Sequence, residues 1–149
     1  MSELLESARW KLPLLAVGQI QKEVTHNEAL ALIDALIAPV VEAQGVNDPP
    51  ASPLAGQCWL VGLAPTGAWV GAAGQLACWT GGGWRMVAPR AGMTVRLAAG
   101  TMLRFDGAAW AAPAAVPVPS GGAVIDSEAR AAIAALIAQL QLQGWLEQN

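Results

Sequence analysis

Trp79-Thr80-Gly81-Gly82-Gly83-Trp84 places two aromatics on either side of a glycine run, and Phe105-Asp106-Gly107-Ala108-Ala109-Trp110 repeats the pattern aromatic-x-Gly-x-x-Trp. Glycine supplies the positive φ that tight hairpin turns need, and aromatics flanking a turn can pack across the paired strands. Both stretches therefore read as β-hairpins. Short apolar runs surround them at Gln57 to Val61, Gln75 to Trp79, Trp84 to Val87, Thr94 to Leu97 and Met102 to Phe105. The expectation is one small antiparallel sheet or barrel of Trp-rich hairpins, occupying residues 54–116.

N-terminal to it, residues 1–53 read as a docking segment and a helix. Trp10-Lys11-Leu12-Pro13-Leu14-Leu15 is apolar and interrupted by proline, which favours extended backbone. Thr25-His26-Asn27-Glu28 has the form of a capping box, predicting a helix start at Thr25. Ala29, Leu32, Ile33 and Leu36 follow at i, i+3, i+4, i+7, and Pro39 should end the helix. Asn47-Asp48-Pro49-Pro50 with Pro53 reads as a linker.

C-terminal to the hairpins, residues 117–149 read as a hinge and a helix. Val116-Pro117-Val118-Pro119-Ser120-Gly121-Gly122 is the hinge, Asp126 or Ser127 a cap, and Gly144 a stop. Ile133, Leu136, Ile137 and Leu140 repeat the i, i+3, i+4, i+7 stripe. An amphipathic helix on a flexible tether has no partner within its own region, so these four residues are the expected oligomer interface. The fold class is thus α+β, with an N-terminal helix and a C-terminal oligomerising helix.

Composition points the same way. Hydrophobic residues make up 54% of the chain and charged residues 13%, against about 25% charged in ordinary domains. A domain of 149 residues has too much surface for its volume to hide so much apolar material alone. Burial against other chains is the natural outlet. No apolar run reaches the ~20 residues of a membrane span: Ala29 to Val41 contains Asp34 and Pro39. Met1 to Glu6 is acidic rather than a secretory leader, so synthesis in the cytoplasm is expected. Net charge is −3. Arg85, Arg90, Arg96 and Arg104 against Asp106 make the middle mildly basic between acidic ends, which suits pairing of subunits and is too weak for nucleic acid.

The residues offer little for catalysis. His26 is the one histidine, a general base or ligand only if Glu23 or Glu28 supports it, and more simply a helix-start residue bonding local backbone. Cys58 and Cys78 have no zinc spacing and leave open one disulfide or two small buried hydrophobes. Neither a nucleophile elbow nor a phosphate loop occurs, since Gly81-Gly82-Gly83 lacks a following Lys-Ser/Thr. The expectation is no enzyme, no metal and no cofactor. Of the seven tryptophans, Trp69, Trp84 and Trp110 are candidates for stacking a sugar. That gives an alternative function, a carbohydrate-binding module.

Leu12-Pro13-Leu14-Leu15-Ala16-Val17-Gly18-Gln19-Ile20-Gln21-Lys22-Glu23-Val24-Thr25-His26-Asn27-Glu28-Ala29-Leu30, followed by Asp34-Ala35-Leu36, resembles a domain-of-unknown-function family of alphaproteobacterial prophages and gene transfer agent clusters. The Trp59 strand, Thr66-Gly67-Ala68-Trp69, the Phe105-to-Trp110 hairpin and the tail from Ile125 to Ile133 are also similar to it. The resemblance implies a structural component of a phage-like particle, a head spike or tail fibre or its base, touching other capsid, spike or fibre proteins. It implies homo-oligomerisation, with a trimer expected first and a pentamer second. It brings no catalytic residues, and for the alternative carbohydrate-binding module it implies host capsule or surface glycan as the ligand. Gln19, Gln21, Lys22, Thr25, His26, Asn27 and Glu28 match its strongest motif and are expected to form a docking element, as a buried hydrogen-bond network at a subunit junction.

Overall fold

A computed structural model describes residues 5–16, 22–122 and 126–146. The fold is α+β, with two helices and two small antiparallel sheets, and the chain forms two compact units, Met1–Pro89 and Arg90–Asn149. The division falls at Pro89, inside the stretch 54–116 that the sequence groups together.

In the first unit, helix α1 spans Lys22–Leu36. It begins earlier than the capping box predicted. No Gly or Pro separates Lys22 from Thr25, and Lys22 and Glu23 propagate a helix well, so Thr25 sits inside α1 and cannot cap it. The C-terminal limit behaves as expected. Pro39 excludes ordinary helical geometry at Ala38, which takes a left-handed φ of 44°. Strand β1 (Val40–Val41) leads into a segment alongside β2 (Cys58–Leu60). There Glu42 N–H donates to Cys58 O at 2.8 Å, Leu60 N–H to Ala43 O at 3.0 Å, and Val46 bridges Val61 in parallel.

The proline-rich stretch after Val46 is knitted into this unit rather than set apart from it. Thr66 N–H donates to Asn47 O at 2.9 Å, Ala64 N–H to Asn47 Oδ1 at 3.1 Å, and the Thr66 hydroxyl to Asp48. Strands β2, β3 (Leu76–Thr80) and β4 (Gly83–Val87) form an antiparallel sheet, with Trp79 paired to Trp84 across the turn. One sheet face carries Trp59, Val61 and Ala77, Trp69 packs onto it from the short 3-10 turn Gly67–Trp69 between β2 and β3, and Trp84 stands edge-on to Trp59, Trp69 and Trp79 at centroid distances of 5.5, 5.0 and 4.9 Å. Edge-to-face packing matches the quadrupoles of the rings. Cys58, Leu60, Leu76 and Cys78 alternate to the other face and are also buried. Both faces of β2 are covered, which is why Cys58, Trp59 and Leu60 are all apolar.

In the second unit β5 (Thr94–Leu97), β6 (Met102–Phe105) and β7 (Trp110–Ala111) form an antiparallel meander. Phe105 pairs with Trp110 at 5.4 Å, so the repeated sequence pattern gives the same cross-strand aromatic pair twice. Asp106 Oδ1 accepts from the N–H groups of Ala108 and Ala109 and so fixes the second turn. Those backbone donors, Ala109 first, hold its carboxyl below the ordinary range.

Helix α2 spans Ser127–Leu142, capped by Asp126, whose Oδ1 accepts from Ala129 N–H at 2.9 Å. It is not a free arm. Met102 N–H donates to Gly144 O at 3.3 Å and Arg96 Nη2 to Gln143 O at 3.0 Å, seating its C-terminal end on the β5–β6 hairpin. The hinge is tied down as well, through Arg130 donating to Pro119 O at 3.1 Å and to Gly121 O. Gly144 has φ +74°, and an added Cβ would lie 2.5 Å from Gly100 O. Gly144→Ala is therefore expected to cost about 2 kcal/mol. Gly121, at φ +73° with open space around it, separates the two causes: in thermal melts Gly121→Ala should lower the midpoint less than Gly144→Ala.

Candidate functional site

The family-like motif and the apolar helix face are the two surfaces to place. Within the motif, Gln19 and Gln21 lie outside the described residues, and Lys22 is the first residue of α1. Thr25, His26 and Glu28 are exposed on the single chain, so they form no buried network within it. Successive helical residues point about 100° apart, so a continuous string on one helix cannot share a face. His26 stands in the second turn of α1 rather than at its start. Glu28 is engaged with Arg85 of β4 at 2.8 Å. That pair joins α1 to the edge of the sheet but, being exposed, contributes little stability.

Asn27 is the motif residue with the most specific contact. Its Oδ1 accepts from Leu15 N–H at 2.9 Å and its Nδ2 donates to Leu15 O at 2.9 Å. A side-chain amide here does what a neighbouring strand would do, satisfying both backbone groups of the proline-broken N-terminal segment. Glu23, one turn earlier, is buried, and its Oε2 has no hydrogen-bond partner among the described residues.

The main network lies elsewhere, at Asp34, which is 3% exposed. Its Oδ1 accepts from Ser7 Oγ at 2.7 Å and Trp10 N–H at 2.6 Å, and its Oδ2 from Arg9 N–H at 2.9 Å. Burial raises the carboxyl pKa, but the Ser7 hydroxyl, the two backbone donors and the Arg9 charge outweigh it and hold Asp34 below its ordinary value. Arg9 then reaches the end of α1. Its Nη1 donates to Asp34 O and Ala35 O at 3.1 and 3.0 Å, and its Nη2 to Ala38 O at 2.9 Å, while Trp10 Nε1 donates to Ile37 O at 3.1 Å. The last carbonyls of α1 carry partial negative charge and lack intrahelical partners, so a guanidinium fork suits them. Ser7, Arg9, Asp34, Gly56, Cys78 and Trp79 border a cleft of about 270 Å³. The sequence reading missed this arrangement. Its one visible signal was a lone acid, Asp34, in the otherwise apolar run of α1.

Of the helix-face residues, Ile137 is buried within the chain and leaves the expected oligomer interface. Ile133, Leu136 and Leu140 remain exposed, Leu136 at 64%, and fall within about 60° of one another around α2. Leu142 and Trp145 are exposed beyond them. Of the proposed sugar-stacking residues, Trp69 is fully buried and offers no ring face to solvent. Trp84 is half-buried in the same cluster, and Trp110 is half-buried beside Phe105 in the second unit. Among the described residues, no three His, Cys, Asp or Glu side chains converge as a metal site, and no helix is long and apolar enough to cross a membrane.

No curated protein matches the chain. A family model described as "Protein of unknown function (DUF2793)" matches residues 26–111. The match takes in His26, Asn27 and Glu28, the whole tryptophan cluster and the Phe105–Trp110 hairpin, and stops before α2. It spans more than half of the sequence, and the chain belongs to this DUF2793 family.

Proposed function

We propose that this protein is a non-enzymatic structural component of a phage-like particle, a prophage or gene transfer agent, which forms or anchors a head spike or tail fibre by homo-oligomerisation. The observation that carries the reading is the exposed apolar stripe Ile133, Leu136 and Leu140 on a helix already seated at its C-terminal end. Such a helix is held rigid while its apolar face stays open, which lowers the entropic cost of association. Three copies burying this stripe around a shared axis give closed symmetry, and five copies are the second arrangement. The particle assignment rests on the resemblance of the Leu12-to-Leu30 segment, and its partners would be other capsid, spike or fibre proteins.

Light scattering on the purified chain tests the assembly step, with a trimer mass expected. Leu136→Glu places a charge on the open stripe, where it touches little within its own chain. It should yield a folded monomer, with helical circular dichroism retained and the association constant lowered at least ~100-fold. A wild-type monomer at high concentration would overturn the reading. Detection of the chain by mass spectrometry in purified particles tests the rest.

A further inference from the structure

Cys58 and Cys78 have no part in the proposed assembly. They face each other directly across β2 and β3. The surrounding hydrogen bonds decide which kind of pair they make. Trp79 N–H donates to Gln57 O at 2.9 Å and Val61 N–H to Gln75 O at 3.0 Å, so the odd-numbered residues here hold the hydrogen-bonded positions toward β3. Cys58, between them, turns its carbonyl the other way to accept from Glu42 N–H at 2.8 Å. The cysteines are therefore a non-hydrogen-bonded pair, in which Cα atoms stand about 4.5 Å apart and side chains come closest. Disulfides bridge Cα separations of about 4.4–6.8 Å. The two thiols interact directly with each other. Both are buried and unbridged, and Cys78 borders the cleft beside Arg9 and Asp34, which gives a small thiol reagent a route inward.

We propose that Cys58 and Cys78 form a cross-strand disulfide site, closed by exchange with a low-molecular-weight disulfide of the glutathione class. One cysteine thiolate of the pair attacks one reagent sulfur, the reagent S–S bond breaks, and one small thiolate leaves. The other cysteine thiolate then attacks the first cysteine's Sγ, forming the protein S–S bond and expelling the second small thiolate. The two cysteine protons end on the two released thiols, and the two electrons lost by the protein reduce the reagent. Contact with Cys58 and burial push the Cys78 thiol up, so exchange on the folded chain is slow and refolding is the better route to equilibrium. Once closed, the bond fastens β2 to β3 behind the tryptophan cluster.

The test is to refold reduced, denatured protein in a glutathione redox buffer, alkylate it and weigh it. The expected product is a chain with no intermolecular disulfide, about 2 Da lighter than the reduced chain, unalkylated, with the peptides carrying Cys58 and Cys78 linked. Its tryptophan fluorescence should match the reduced fold, and its melting midpoint should rise by about 5 °C and fall back with dithiothreitol. Alkylation of both cysteines, a persistent glutathione adduct on either, cross-linked dimers, or a bridged chain with the fluorescence of unfolded protein would each overturn the proposal. The mass and peptide readouts do not depend on the oligomeric state, so the proposed assembly stands or falls separately.

Discussion

Asp34→Ala is expected to lower the unfolding free energy by about 3 kcal/mol. The substitution leaves the Ser7 hydroxyl and the N–H groups of Arg9 and Trp10 without their acceptor. It also removes the charge that faces the Arg9 guanidinium, whose own bonds close the end of α1. Urea denaturation gives the value, and a loss below about 0.5 kcal/mol would show that the N-terminal segment does not depend on this carboxylate. Asp34→Asn should fall between, since an amide keeps the shape but has one acceptor oxygen instead of two.

The same residue sets a pH dependence. The folded pKa of Asp34 lies below its ordinary value of 3.8. Its contribution is therefore complete above about pH 4 and is lost as pH falls through the lower folded pKa. Acid titration of stability should show a component in that window which Asp34→Ala lacks. If wild type and variant lose stability in parallel below pH 4, the carboxylate is not the acid-sensitive group.

Local chemistry was legible in the sequence, and long-range pairing was not. Thr94–Leu97 and Met102–Phe105 are strands at the limits their alternation implies, because a strand bounded by Gly-rich turns is decided by its immediate neighbours. The two aromatic-x-Gly-x-x-Trp hairpins and the Asp126 cap are decided in the same way. The start of α1 was misplaced because Thr25-His26-Asn27-Glu28 is as compatible with a helix interior as with a cap. Choosing between them needs the context upstream. Asp34 was passed over because its partners, Ser7 to Trp10, lie far from it in sequence, and no periodicity links a helix residue to a distant extended segment. Ile137 belongs to the same i, i+3, i+4, i+7 stripe as Leu136, yet one is buried and the other open. A stripe states which face is apolar, not what covers each part of it.

That distinction bears on function. Asn27 and Asp34 use their polar groups inside the chain, holding Leu15 and the Ser7-to-Trp10 stretch against α1. A motif read as docking chemistry is thus partly the means by which the domain holds its own N-terminal segment. The exposed α2 stripe lies outside the 26–111 family match.

Trp69→Ala is expected to be the most damaging single change, at about 4 kcal/mol. The ring is fully buried, with Trp84 at 5.0 Å and Trp59 at 6.4 Å, so truncation leaves a cavity that two other large rings border and cannot fill without leaving their edge-on geometry. Trp69 also carries a buried Nε1–H with no hydrogen-bond partner among the described residues, a cost of about 1–3 kcal/mol that the native state already bears. Trp69→Phe removes that unpaired donor while keeping an aromatic face toward Trp84, so its loss should be less than half that of Trp69→Ala. Denaturation followed by far-UV circular dichroism, rather than by the altered tryptophan emission, gives both values on one scale. Equal losses for Phe and Ala would mean that indole volume alone sustains the cluster and that the unpaired N–H is without energetic consequence. A loss under 1 kcal/mol for Ala would mean that the first unit is not built around these tryptophans at all.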